Sequence, residues 1–237
     1  MARPEWHEGA VEPPDFYLRR PSPPSESDVE DFARLYADWV GRGADGPIDY
    51  RLAAPRWQFL CWLADTKDVV LHGSGRPDIE EFEPRQADDV SEFGARLAVY
   101  AASDGLWPMY FAIVDRGRVR SLVNACAHVV DAEGRRLGDY YYFSVDADAL
   151  AAGPWRDGTV YVLPRDTFEQ QAEEDWDGLR VQATQWASPV AVRPLARLAV
   201  RPADFPFLEQ VQGHDVAAVT ARAAADPEAF PWRDPAE

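Results

Sequence analysis

The sequence predicts an α+β fold in which helices near the N-terminus cover a β-rich core. Apolar residues recur at helical spacing between residues 28 and 66, which is typical of amphipathic helices. From about residue 68, short runs of β-branched and aromatic residues alternate with Gly, Pro and polar residues, which is typical of strands and turns. The 237 residues, 46% of them hydrophobic, are enough to bury a sizeable core, so we expect one compact domain.

Composition and charge exclude several classes of protein. The net charge of −17 argues against a broad nucleic-acid-binding surface, because phosphate backbones are held by basic patches. No window approaches the roughly 18 consecutive apolar residues of a membrane span, and the first residues lack the apolar segment of a signal peptide. We therefore expect a cytoplasmic protein without a membrane partner. Cys61, Cys126 and the four histidines show no ligand spacing, so we expect no metal site.

The N-terminal region divides into an arm and a helical cap. Residues 1–27 are rich in proline and polar groups, and we expect an arm that lies over the surface or is disordered. A helix should follow, because Ser27 and Glu30 have the spacing of a capping box. Its buried stripe would consist of residues at helical spacing, namely Phe32, Leu35, Tyr36 and Trp39. A second helix beginning at Pro55 would complete a cap over residues 28–66.

The remainder is predicted to form a β-rich core over residues 67–204 and a C-terminal segment over residues 205–237. The expected strands are "DVVLHGS", "RLAVYAA", "MYFAIVD", "RVRSLVNACAHVV", "YYYFSV", "TVYVLP", "RVQATQW" and "ARLAV". The stretch "AEGRRLGD" should connect two of them as a hairpin. The last segment should contain a helix followed by a polar tail.

One stretch of the core resembles a known family. The segment "LHGSGRPDIEEFEPRQADDVSEFGARLAVYAASDGLWPMYFAIVDR" is similar to the NAD-binding half of ADP-ribosyltransferases, in the poly(ADP-ribose)-polymerase or diphtheria-toxin-like branch with a His–Tyr–Glu triad. In that branch a strand ends in His-Gly-Ser, a second strand carries a Tyr, and a helix supplies a second aromatic residue. The resemblance is strong over residues 68–115 and weaker to residue 204. It implies a split mixed or antiparallel sheet and NAD as co-substrate.

The resemblance assigns roles to five residues of this stretch. His72 matches the histidine that hydrogen-bonds the adenine-side ribose of NAD, and Gly73 matches the glycine whose backbone pairs with the nicotinamide carboxamide. Ser74 matches a hydroxyl that also contacts NAD. Tyr100 would stack on the nicotinamide ring, and Phe111 would be the second stacking aromatic. Aromatic faces suit a flat cationic ring, and a glycine lets a ligand approach the backbone closely.

Three further positions near the motif affect this interpretation. Arg85 could clamp the pyrophosphate of NAD, because a guanidinium matches phosphate oxygens bidentately, and Arg76 is the alternative. Pro108 stands where many members of the family have a small hydroxyl residue. This departure removes one expected contact to the carboxamide.

The third catalytic position departs from the family pattern. Gln185 stands where the resemblance places the catalytic glutamate at the start of a late strand, and Gln182 lies three residues upstream. An amide can orient a ribose hydroxyl, but it places no negative charge beside an oxocarbenium-like transition state. Loss of one preorganised group of this kind costs roughly 2.7–4 kcal/mol. That corresponds to about a hundred- to thousandfold in rate.

Three interpretations follow from this departure. The protein is a slow mono-ADP-ribosyltransferase or NAD glycohydrolase that uses Gln185, with protein, nucleic acid or a small molecule as acceptor. In the second interpretation, a carboxylate of the acidic loop enters the site instead; the candidates are Glu169, Glu173, Glu174 and Asp175. In the third, the protein binds NAD or ADP-ribose and performs no chemistry. We expect the first, with catalytic residues His72, Tyr100 and Gln185.

Overall fold

The structure is a computed structural model, and it describes residues 14–43, 46–87, 91–131, 133, 136–176, 179–227 and 229–233. Its helices and strands form an α+β fold, which confirms the predicted class. The helices are α1 (Glu26–Gly41), α2 (Arg56–Thr66), α3 (Leu106–Ile113), α4 (Ala147–Ala151) and α5 (Val216–Ala225). Short 3₁₀ turns cover Pro202–Asp204 and Leu208–Gln210.

The described strands belong to two sheets. In chain order they are β1 (Leu18–Arg19), β2 (Val69–Ser74), β3 (Arg85–Gln86), β4 (Leu97–Ala102), β5 (Leu122–Val130), β6 (Arg136–Asp146), β7 (Gly158–Pro164), β8 (Glu169–Gln170), β9 (Glu174–Trp176), β10 (Leu179–Ala183), β11 (Gln185–Ser188), β12 (Ala196–Val200) and β13 (Gln212–His214). The first sheet has the order β1-β6-β5-β10-β9, and β13 also pairs with β6. The second has the order β12-β7-β2-β4-β11-β8, with β3 paired to β4. Among the described pairings, β13 with β6 is parallel and the others are antiparallel.

The N-cap of helix α1 lies two residues before the predicted one. The N-cap is Ser25, whose hydroxyl accepts from the Asp28 backbone N–H at 3.2 Å, and the Asp28 carboxylate accepts from the Ser25 N–H at 3.2 Å. The predicted pair of Ser27 and Glu30 is therefore wrong. Ser25 and Asp28 have the same spacing as that pair, and the earlier start places Glu26 and Asp28 in the first turn, where the helix dipole favours acidic side chains.

The stretch "MYFAIVD", predicted as a strand, lies mostly in helix α3. All eight residues of α3 are apolar, so the segment shows no polar face from which a period could be read. A short apolar run does not by its pattern distinguish a buried helix from a buried strand. The buried Asp104 carboxylate accepts from the backbone N–H groups of Leu106 and Trp107 at 2.7 and 2.9 Å, and these bonds start the helix.

The helical cap and the β-rich core share one hydrophobic cluster. Phe32 of α1 and Phe59 of α2 are fully buried together with Met109 of α3 and Val160 of β7. The predicted hairpin is present as the antiparallel pair of β5 and β6, and β6 starts inside the stretch predicted as its loop. The predicted C-terminal helix is α5. The shared cluster shows that the cap and the core have a common hydrophobic interior.

A buried ionic network anchors the described part of the arm. Arg20 lies 2.5 Å from Asp65, 2.8 Å from Asp104 and 2.9 Å from Asp139. The Tyr141 hydroxyl donates to Asp104 at 2.7 Å, and Asp104 has no exposed side-chain surface. Burial alone would raise the pKa of Asp104, but the Arg20 charge and these hydrogen bonds hold it below its usual value. Residues 1–13 of the predicted arm lie outside the described residues.

Candidate functional site

Strands β2 and β4 diverge at the position of the predicted NAD site. They share a single register pair, Leu71 with Ala102. Beyond this pair β2 continues alongside β7 as far as Ser74, which lies opposite Thr159. Strand β4 continues beside β11 on its other edge. The second sheet is therefore split next to the His-Gly-Ser motif.

His72 closes part of this split. Its Nδ1 lies 2.6 Å from the backbone carbonyl oxygen of Tyr100. A carbonyl only accepts, so Nδ1 carries the hydrogen, and in the neutral ring Nε2 is left as an acceptor. No described residue hydrogen-bonds Nε2. Burial lowers the pKa of His72 and the charge of Arg85 lowers it further, which together outweigh the bond to Tyr100, so the neutral form dominates near neutral pH.

Gly73 has a packing role that the sequence does not reveal. A Cβ at this position would lie 1.8 Å from the Pro108 carbonyl oxygen and 2.8 Å from the Ala112 nitrogen. Gly158 on the adjacent strand meets the Ala112 carbonyl at 2.0 Å in the same way. The two glycines form the groove in which α3 lies against β2 and β7. The backbone of α3 at Pro108 therefore packs directly against Gly73.

Arg156 lies over the end of the motif and was missed from the sequence. A Cβ on Gly75 would lie 1.3 Å from its Nη2, so the guanidinium covers the backbone there. The nearest described carboxylate is Asp115, at 4.0 Å. The Ser74 hydroxyl accepts from the Arg76 N–H at 3.1 Å, which leaves its own hydrogen available. The only sequence signal for this contact is the glycine itself.

The Tyr100 side chain points away from His72. Side chains alternate along a strand, and the register places Tyr100 opposite Ala187, on the face of the sheet that carries Gly73. Its hydroxyl lies 3.0 Å from the Phe93 carbonyl and 2.9 Å from the Arg96 carbonyl. These hydrogen bonds attach the Tyr100 side chain to the turn that precedes β4, and its ring remains half-buried.

Gln185 shares a face with Tyr100. It begins β11 opposite Ala102, two residues along from the pair of Ala187 and Tyr100. Its side-chain amide hydrogen-bonds no described residue and is half-buried. Gln182, by contrast, donates to the Gln171 carbonyl at 2.5 Å. The structure therefore distinguishes the two glutamines, because only Gln185 presents an unpaired amide.

Phe111 lies on α3, one turn from Trp107, and both side chains are half-buried. Their rings are 6.1 Å apart at an angle of 41°. The Trp107 indole nitrogen donates to the Asn124 side-chain oxygen at 2.6 Å, which links the helix to the first sheet. The structure adds Trp107 and Asn124 as candidate site residues beside Phe111, and the sequence did not identify them.

Two cations were predicted for the pyrophosphate. Arg85 is exposed on β3, its charge acts on His72, and no described carboxylate pairs with it. Arg76 is exposed and lies 3.6 Å from Asp78. Arg85 is the better candidate of the two, because its guanidinium is unpaired near the split.

The acidic loop brings no described carboxylate to Gln185. Glu169 lies 3.3 Å from Arg96, and Glu173 lies 3.1 Å from Arg180, in exposed pairs. Glu174 is exposed on β9, and the side chain of Asp175 lies outside the described residues. Glu169 does pair with Ala187, and Ala187 pairs with Tyr100, so the three residues lie side by side across strands β8, β11 and β4.

The two cavities described lie elsewhere in the molecule. One, of about 380 Å³, lies between the arm, α2 and the start of β6. The other, of about 140 Å³, lies beside β13 and α5. Neither is lined by any of the predicted site residues. The candidate site is therefore a split between strands together with the α3 side of the sheet.

No family model matches the chain, and no curated protein and no solved structure matches it either. In the described part of the chain, no helix combines the length and the apolar character needed to cross a membrane.

Proposed function

We propose that this protein binds NAD at the split between β2 and β4, cleaves its nicotinamide–ribose bond and transfers ADP-ribose to an acceptor. The observation that carries the proposal is the hydrogen bond from His72 Nδ1 to the Tyr100 carbonyl, 2.6 Å long, at the point where the strands part. It fixes an imidazole with Nε2 unpaired. A ribose hydroxyl is a suitable donor to such a nitrogen.

The charges around the split suit a dinucleotide phosphate. Arg85 has no described carboxylate partner, and Arg156 lies over Gly75 with its nearest described carboxylate 4.0 Å away. A guanidinium can hold phosphate oxygens bidentately, so Arg85 and Arg156 are the two candidates for the pyrophosphate.

The α3 side of the sheet suits the nicotinamide end. Tyr100 and Gln185 project from this face, whereas His72 lies on the opposite face, so NAD would have to pass through the split to reach both. The Phe111 side chain is half-buried on the helix that covers the face of Tyr100 and Gln185. In the proposed reaction nicotinamide leaves from C1′ of its ribose, and Gln185 accepts from or donates to a ribose hydroxyl. An amide supplies no negative charge there, so we expect slow turnover.

Binding of NAD or ADP-ribose without chemistry is the second candidate. It is favoured by one observation, the amide of Gln185 at the position where a carboxylate would stabilise positive charge. The exposed pairs of Glu169 and Glu173 supply no replacement in this structure.

Calorimetric titration with NAD and with ADP-ribose, run beside chromatographic detection of released nicotinamide, separates the two candidates. The variants are His72→Gln, Arg85→Gln and Gln185→Glu, with His128→Gln as the matched control. His128 is also a half-buried histidine, hydrogen-bonded to Asp139 at 2.7 Å.

Nicotinamide release that His72→Gln abolishes and His128→Gln preserves would support the transferase. Binding without release, lost in the same variant, would support the second candidate. If folded wild-type protein neither binds NAD nor releases nicotinamide, the proposal is wrong.

A further inference from the structure

A serine–histidine–serine chain lies on the outer side of the first sheet, away from the split. The His214 Nε2 is 2.9 Å from the Ser121 hydroxyl, and its Nδ1 is 2.7 Å from the Ser144 hydroxyl. Ser121 directly precedes β5, Ser144 lies on β6, and His214 ends β13. Three segments distant in sequence are thus joined through one imidazole.

The hydrogen bonds determine where the protons lie. The Ser144 hydroxyl donates to the Gln212 carbonyl at 3.0 Å, and that carbonyl can only accept. Ser144 therefore accepts from His214, which places a hydrogen on Nδ1. In the neutral ring Nε2 is then the acceptor, and the Ser121 hydroxyl donates to it. The opposite arrangement would leave two acceptors facing each other across the bond between Ser144 and Gln212.

The environment keeps His214 neutral and accessible. Burial lowers the pKa of His214, and the nearby carboxylates of Asp146 and Asp215 only partly oppose this effect. Ser121 and His214 are half-buried, whereas Ser144 is fully buried. The outer serine can therefore meet a substrate, and the inner one holds the ring.

A cavity beside His214 suits acyl chemistry at this site. The backbone N–H of Ser121 is engaged by the Asp146 carboxylate, which helps to fix Ser121 beside the imidazole. The cavity of about 140 Å³ is lined by His214 together with Val123, Tyr142 and Trp232. Ser121 does not line this cavity but is hydrogen-bonded to His214, which does. A cavity of about 150 Å³ holds a benzene ring, so this space accommodates a short acyl or aryl group.

We propose that Ser121 and His214 form a nucleophilic site for small carboxylic esters. The Ser121 oxygen attacks the ester carbonyl while His214 Nε2 takes its proton. The bond to the alcohol breaks, and the alcohol leaves with that proton. Water then gives a proton to Nε2 and adds to the acyl carbon, and the bond to Ser121 breaks as its oxygen recovers the proton. No metal or redox partner enters this balance.

The test is labelling of the full chain with a fluorophosphonate and location of the modified peptide by mass spectrometry. Hydrolysis of p-nitrophenyl acetate and butyrate is measured in parallel. We expect label on Ser121, no label there in Ser121→Ala, and a fall in rate of about a hundredfold or more in His214→Gln. Ser22→Ala and His128→Gln are the matched controls, and both should react as the wild type does.

The pH profile of labelling distinguishes a role of Ser144 in orienting the imidazole of His214 from a role in protein stability alone. Its lower limb should follow the protonation of His214. Ser144→Ala removes the acceptor at Nδ1, a bond that favours the charged ring, so the midpoint should move to lower pH. Circular dichroism shows whether each variant is folded.

Absence of label on Ser121 in folded wild-type protein would overturn this inference. Hydrolysis that persists in Ser121→Ala would do the same. Neither outcome affects the NAD proposal, because the two sites lie on different sheets and share no residue.

Discussion

The imidazole of His72 hydrogen-bonds the backbone of Tyr100 where strands β2 and β4 part. Its Nδ1 donates to the Tyr100 carbonyl oxygen at 2.6 Å. The same contact leaves Nε2 without a described hydrogen-bond partner. In the proposed function, fold stability would depend on Nδ1 and NAD binding on Nε2.

Substitutions of His72 should separate these two roles. In His72→Ala the Tyr100 carbonyl loses its donor, and we expect unfolding free energy to fall by about 1–3 kcal/mol. His72→Gln retains an amide donor and should lose less stability. Both should weaken NAD binding, because both lack the unpaired ring nitrogen. Urea unfolding and calorimetry measure the two effects, and equal binding by wild type and His72→Gln would contradict the assignment of Nε2.

Gln185→Glu should accelerate nicotinamide release by about a hundred- to thousandfold. The reason is the negative charge that the glutamate places beside the developing cation. Gln182→Glu is the control, because Gln182 is already engaged by the Gln171 carbonyl. An acceleration in both variants, or in neither, would argue against Gln185 as the third catalytic position.

Gly73→Ala should destabilise the protein whether or not NAD binds nearby. The new methyl group would meet the Pro108 carbonyl oxygen at 1.8 Å, and the helix backbone there is not free to move. Overpacking of this kind costs about 1–3 kcal/mol or more. Gly41→Ala is the control, since nothing lies within 4 Å of its added carbon. Thermal unfolding that shows no difference between the two variants would contradict this packing role.

Arg20→Met should be far more costly than loss of an exposed pair. It leaves Asp104 and Asp139 without their central cation, and breaking a buried pair costs about 3–5 kcal/mol. Arg34→Ala removes an exposed pair with Asp31 and should change stability by no more than about 1 kcal/mol. Chemical denaturation of both variants tests the comparison, and similar losses would mean that the network does not anchor the arm.

Stability should decline as pH falls below about 6.5, and His72 should account for part of the decline. The folded state lowers the pKa of His72, so below the unfolded value the unfolded chain binds more protons. Protonation therefore favours unfolding until the folded group also titrates. The stability advantage of the wild type over His72→Gln should shrink as pH is lowered through this window. An advantage that grows would show that the sign of the shift is wrong.

Much of the local structure could be read from the sequence because its causes are local. The apolar spacing of Phe32 and Trp39 indicates α1, and the short apolar run of residues 69–71, with two valines, indicates β2. The start of α1 differs from the prediction by two residues because two serines have the same capping pattern. The pattern predicts a strand in part of α3 because its uniformly apolar residues carry no period.

The candidate sites depend on contacts that no local pattern encodes. His72 and Tyr100 are 28 residues apart, and Ser121 and His214 are 93 residues apart. Arg156 reaches Gly75 only because β7 lies beside β2. By itself the sequence determined the α+β class and most of its elements, through side-chain periodicity and turn chemistry. The tertiary structure alone decided where β2 leaves β4, which glutamine is unpaired and which serine meets an imidazole, because those outcomes follow from strand pairing and long-range packing.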